Sequence, residues 1–117
     1  MNNNYYNEIK NELLNNEVYK RVKDYSKNRN ELSTYYNVGK LLSEAGKQYG
    51  EKIIANYSEK LVVEVEKKYN KRTLFRMRQF YKLFEEQKVS PVATQLTWSH
   101  YCELLSLKDI KVWKYFN

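Results

Sequence analysis

The chain has 117 residues, 42% of them hydrophobic, with three Gly, one Pro and a net charge of +7. That length suits one domain with a true core (expected to span 1–117) and is too short for two, and the scarcity of turn residues argues against a β-sandwich or barrel. Excess positive charge suits an acidic partner, nucleic acid being the commonest.

Met1–Asn4 is expected to fray. Tyr5–Leu14 then places Tyr6, Ile9 and Leu13 on one face of a short helix. A longer helix is predicted over Glu17–Ala45, with the stripe Val18, Val22, Tyr25, Leu32, Tyr35, Tyr36, Val38 and Leu42 and an irregularity around Asn28–Asn30. Gly39 inside that stripe costs about 1 kcal/mol against Ala, which points to close approach of a neighbouring helix. Gly46 reads as a stop and Gly50 as a second break. A third helix starts near Gly50 and carries Ile53, Ile54, Tyr57, Leu61 and Val65.

A turn over Lys67–Asn70 leads into a helix ending near Gln87. Leu74, Met77, Phe80, Tyr81 and Phe84 form its apolar stripe, and Asn70 is its expected N-cap. Arg72, Arg76 and Gln79 recur on the opposite side, flanked by Lys71, Arg78 and Lys82. From Lys67 to Lys88 eight cations face only Glu85 and Glu86, a local excess of +6. A capped helix with an arginine-and-glutamine face, preceded by a helix and a short turn, is how a helix-turn-helix presents its reading helix to DNA. In that reading Arg72, Arg76 and Gln79 reach groove or base edges, while Lys67, Lys68, Lys71, Arg78 and Lys82 take phosphates. A solvated charged face produces the same pattern. Ser90-Pro91 opens a further short segment, Thr97 caps a fifth helix with Trp98, Tyr101, Cys102 and Leu105, and a last helix covers about Leu107–Phe116 with Ile110, Trp113 and Tyr115 facing inward. The fold class is all-α, a compact multi-helix bundle with a helix-turn-helix-like pair.

Catalytic chemistry finds little support. Glu8-Ile9-Lys10, Glu66-Lys67-Lys68 and Asp109-Ile110-Lys111 match a short nuclease string, but they lie in helical patterns of a Lys-rich chain. His100 stands without a second His or a Cys cluster, so no zinc site is expected. With Ser99 it is read as tying down a helix start, beside a core-filling Trp98. Cys102 reads as a small core residue in a reducing compartment. No Gly-rich phosphate loop is present. No cofactor or metal is expected, and no enzymatic activity. Most of the twelve tyrosines fall on apolar stripes. Tyr69, in the basic turn, is the exception, placed to meet a sugar or phosphate. The absence of an apolar span or signal-like segment predicts a cytoplasmic protein that does not engage a membrane.

Four segments in order resemble one family. Asn30-Glu31-Leu32 with Tyr35-Tyr36-Asn37-Val38-Gly39 is similar to a run N-x-L…Y-[YW]-x-I-G. Tyr49-Gly50, Ile54 and Ser58-Glu59-Lys60-Leu61 resemble Y-G…I…L-S-x-x-L. Thr73–Tyr81 resembles N-L-x-x-M-R-x-F-Y, and Leu96–His100 with Leu104-Leu105 resembles L-x-W-S-H…L-L. Together, from roughly Val18 onward, they look like the N-terminal helical domain of YhcG-type bacterial proteins, which precedes a PD-(D/E)XK nuclease domain. The resemblance implies a DNA-binding or interaction module attached to a nuclease. Where the family has Gly-Phe-Ser before its signature, this chain has Lys68, Tyr69 and Asn70. No strand-rich segment is present to hold the nuclease site, so that domain is expected to be absent. Double-stranded DNA is the expected partner. The alternative is a protein-interaction module that dimerises, pairs with a nuclease-bearing relative, or inhibits a nucleic-acid-handling protein.

Overall fold

A computed structural model describes residues 3–22, 27–87 and 97–105, in which there are five helices and no strand. They are α1 (Asn3–Val22), α2 (Lys27–Tyr49), α3 (Lys52–Glu64), α4 (Lys71–Gln87) and α5 (Trp98–Leu105). The all-α expectation is met. The segment opened by Ser90-Pro91 and the helix expected over Leu107–Phe116 lie outside the described residues.

α2 packs against each of the other four helices, and its closest partner is α4. Leu32, Tyr35, Val38 and Leu42 line its core face as the 3.6-residue period requires. Gly39 explains how the two helices come so near. A Cβ there would lie 2.2 Å from the Met77 carbonyl oxygen and 2.7 Å from Tyr81 Cβ. Only a residue without a side chain lets the backbones meet at that distance. Beyond this crossing the Tyr36 and Tyr81 rings pack edge to face at 5.1 Å.

The early helices divide differently from expectation. α1 runs on through Asn15-Asn16 to Val22, and helix already begins at Asn3. Asparagine is a weak helix former, but here a tertiary contact outweighs propensity. Asn16 is 1% exposed, and its Oδ1 accepts a 2.8 Å hydrogen bond from Asn30 Nδ2 on α2. Val18 therefore belongs to α1, where it is 59% exposed rather than part of the core stripe. The side chain of Val22 and all of Tyr25 lie outside the described residues. At its other end α1 is held by Tyr6, whose ring packs on Tyr57 at 5.5 Å and whose hydroxyl donates to Glu64.

Gly46 does not stop α2. The helix continues to Tyr49 and ends at Gly50, whose φ of +93° is a left-handed conformation that glycine adopts without strain. Its N–H closes the last turn on the Gly46 carbonyl at 2.9 Å. α3 starts two residues later and buries Ile53, Ile54, Tyr57, Ser58 and Leu61. α5 closes the bundle with an aromatic cluster. Trp98 is half-buried and meets Tyr35 at 4.7 Å and Phe80 at 5.3 Å, while Tyr101 meets Phe80 at 4.9 Å. No described helix is long and apolar enough to cross a membrane.

Candidate nucleic-acid interface

The basic helix starts and stops as its sequence predicts. Asn70 Oδ1 accepts the Thr73 N–H at 3.0 Å, an N-cap bond that satisfies one of the open donors of the first turn. Leu74, Met77, Phe80 and Phe84 are buried, each contributing roughly 1.5–3 kcal/mol of apolar burial, and Tyr81 is half-buried beside them. The opposite face is open: Lys71, Arg72, Gln79 and Lys82 are exposed, with Lys67 exposed in the preceding turn.

The other three predicted site residues divide by neighbour. Lys68 pairs with Glu17 Oε2 at 2.9 Å, its ammonium 5.3 Å from the centre of the Tyr69 ring. Arg76 is half-buried at the edge of α4 nearest α5, close enough to Cys102 to act on its thiol. Burial pushes the Cys102 thiol up from its ordinary value and Arg76 draws it part of the way back, so the thiol is a weak nucleophile. Arg78 sits at the opposite edge with its side chain only 15% exposed, paired with Glu51 at the start of α3. That bond holds the Glu51 carboxyl below the usual carboxylate range. Gly46 leaves room for it, since a Cβ there would lie 3.2 Å from Glu51 Oε2. The helical wheel had separated inner from outer face correctly, but which cations carried a partner depended on α1, α3 and α5.

Tyr69 corrects the sequence reading. Its side chain is fully buried and turned away from any surface ligand. The hydroxyl donates to Glu17 Oε2 at 2.5 Å, and its ring lies edge to face with Tyr35 at 6.5 Å. Tyr35 in turn donates to Glu31 at 3.2 Å. Burial is the main cause that raises the hydroxyl of Tyr69, and that of Tyr35, above the ordinary tyrosine value. The turn has polar residues on its outside and one large ring plugged into the core, with Ser58 Oγ donating to the Tyr69 carbonyl at 3.5 Å. This locks the spacing between α3 and α4.

Phe75 was not among the predicted site residues. It is half-buried on the outer side of α4, one helical turn from Lys71, Arg72, Arg78 and Gln79. The Arg78 guanidinium lies over its ring, 4.9 Å from the centroid. The signal was in the sequence: Phe75 sits three residues after Arg72 and four before Gln79, on the face that these two define.

His100 has the structural part expected of it. The Thr97 N–H donates to His100 Nδ1 at 3.2 Å and the His100 N–H returns a bond to Thr97 Oγ1 at 3.3 Å, a reciprocal cap on α5. Ser99 is exposed. Of the nuclease-like triplets, Glu8–Lys10 lies on α1 with Ile9 buried and Lys10 paired to Glu64 at 3.1 Å, and Glu66–Lys68 lies around the α3–α4 turn. Asp109–Lys111 is outside the described residues. Among the described residues no group of three or more His, Cys, Asp or Glu is placed to hold a metal ion.

The electrostatics of the α4 start are unusual for a helix. Its first turn carries Lys71 and Arg72 and no acid. Cations there oppose the positive end of the helix dipole, where carboxylates stabilise by about 0.3–1 kcal/mol. Stability alone does not favour that arrangement, and a concentrated positive field is what an anionic ligand would exploit. Neither a curated protein nor a solved structure matches the chain. The DUF1016 N-terminal domain family matches over residues 8–117, and the chain therefore belongs to that family, as the four YhcG-like segments had implied.

Proposed function

We propose that this domain is a non-catalytic, cytoplasmic module that binds double-stranded DNA through the α3–α4 turn and the outer face of α4. One observation carries the reading. Lys71, Arg72 and Lys82 lie on the exposed face of α4 with exposed Lys67 in the turn before it, and none is within ion-pair distance of a carboxylate among the described residues, whereas Lys10, Lys68 and Arg78 are paired with carboxylates. Arg72 and Gln79 are the exposed groups suited to base edges, and Lys67, Lys71 and Lys82 the ones suited to phosphates. Lys68, Arg76 and Arg78 border the strip and add to its field while engaged with their own neighbours.

Fluorescence polarisation of a labelled mixed-sequence duplex across a salt series tests it. Three phosphate contacts give a log–log salt slope of about −2.7. Lys71→Glu with Arg72→Glu abolishes binding while leaving the helical circular dichroism and the melting curve in place. Arg72→Ala costs about 1–3 kcal/mol of affinity. No binding at low salt, with a clean dimer by light scattering, would sink the DNA reading in favour of self-association or pairing with a nuclease-bearing relative.

A further inference from the structure

The exposed strip is not uniformly polar. At its centre sits Phe75, an aromatic ring on the side of α4 where solvation would favour a charge. Lys71 and Arg72 lie one turn before it, Arg78 and Gln79 one turn after, and Lys82 lies further along the same side. The ring is also held in place. Arg78 lies over it at 4.9 Å and is itself anchored by Glu51, so guanidinium and ring are ordered from the α3 side. Phe75 is half-buried: it packs in part against the core, and the Arg78 guanidinium covers part of its ring, so that ring and guanidinium together form the surface offered to a base.

An aromatic ring set among cations that can follow a phosphate backbone is the arrangement by which proteins stack an unpaired base. In intact duplex the bases are stacked on each other, and a ring lying flat on a helix surface meets only sugar and phosphate. We infer that the strip is built for DNA in which an unpaired base adjoins the duplex, such as a tailed end or a gap, with Phe75 as the platform on which that base stacks. This rests on the DNA-binding reading above and names the form of DNA that the same site takes. Arg78 is a positioning residue here. It orders the ring, and Glu51 orders it.

Three labelled probes of one sequence test the inference: a blunt duplex, the same duplex with a single-stranded tail, and the single strand. The wild-type domain is expected to bind the tailed duplex at least about fivefold more tightly than the blunt one, the lower bound for stacking one base on an aromatic ring. Phe75→Leu keeps the apolar packing but removes the stacking face. It should bring tailed and blunt probes to the same affinity while the helical circular dichroism stays in place. Phe75→Tyr should keep the preference. An independent readout needs no variant: 2-aminopurine at the unpaired position should be quenched on binding, as stacking on a ring requires. Equal wild-type affinity for blunt and tailed probes overturns the inference while leaving duplex binding intact. So does a Phe75→Leu loss equal on all three probes, or unquenched 2-aminopurine in a bound complex. Failure of every probe to bind overturns the DNA reading itself, and this inference with it.

Discussion

The two faces of α4 are made by different rules, and the contrast separates what folds this protein from what it offers a ligand. On the inner face Leu74, Met77, Phe80 and Phe84 are buried and the backbone comes so near α2 that only Gly39 fits opposite. On the outer face Lys71, Arg72, Gln79 and Lys82 are exposed, around the half-buried ring of Phe75. A substitution on the inner face should change stability and leave the chemistry of any interface alone. On the outer face the reverse should hold. The residues at the boundary, Tyr69 at the start of the helix and Arg78 along its edge, show how sharply the faces divide.

The largest effect is expected at Gly39. In an open helix, Gly→Ala is stabilising by roughly 0.5–1 kcal/mol. Here the new Cβ would fall 2.2 Å from a main-chain oxygen, which cannot swing aside as a side chain can. Gly39→Ala should therefore destabilise by about 2–3 kcal/mol despite the propensity gain. Urea denaturation followed by circular dichroism measures this, and a neutral or stabilising result would mean that α2 and α4 do not cross at this point.

Tyr69 comes next. Tyr69→Phe keeps the ring in the core and removes the donor to Glu17, leaving that carboxylate with Lys68. The expected cost is about 1–2 kcal/mol, the loss of one hydrogen bond to a carboxylate that keeps its ion pair. DNA affinity should not change, because the ring faces inward. Loss of affinity without loss of stability would restore Tyr69 to the surface. The pH dependence gives a second handle. The hydroxyls of Tyr35 and Tyr69 are raised above the ordinary value, chiefly by burial, so the folded state keeps protons that the unfolded chain releases near pH 10. Their contribution is complete below that pH and is lost as pH rises through it. Tyrosinate absorbance should therefore show a class of tyrosines that ionise only as the domain unfolds, and Tyr69→Phe should make the alkaline decline in stability shallower.

Signals written locally were legible in the sequence. The apolar stripe of α4, the Asn70 and Thr97 caps and the meaning of Gly39 each depend on residues within a turn or two, and each stands in the structure. What was not legible came from distant partners. Tyr69 looks like a turn residue because its burial depends on Glu17, 52 positions away, and a single ring in a short turn has no period to reveal it. The break expected at Asn15-Asn16 is bridged because Asn16 finds Asn30 on the next helix. Helical spacing placed Arg76 and Arg78 on the outer side of the wheel and could not show that Cys102 and Glu51 wait at its two edges.

The smallest effect, at Glu51, sharpens the comparison most. Its side chain is 64% exposed, and an exposed pair is worth about 0–1 kcal/mol. Glu51→Gln should cost no more than that at low salt and close to nothing in about 1 M salt, where the Debye length falls to roughly 3 Å. The hydrogen bond from Arg78 lowers the Glu51 carboxyl, so the pair's contribution is present above the ordinary carboxylate value and lost as pH falls through the lowered one. Glu51→Gln should thus remove an acid-side contribution, where Tyr69→Phe removes an alkaline one. If Glu51→Gln were instead as costly as Tyr69→Phe and indifferent to salt, Arg78 would be a core contact in all but name. The outer face would then begin only at Phe75 and Lys82, and the cations available to a ligand would be the Lys67, Lys71, Arg72 and Lys82 set alone.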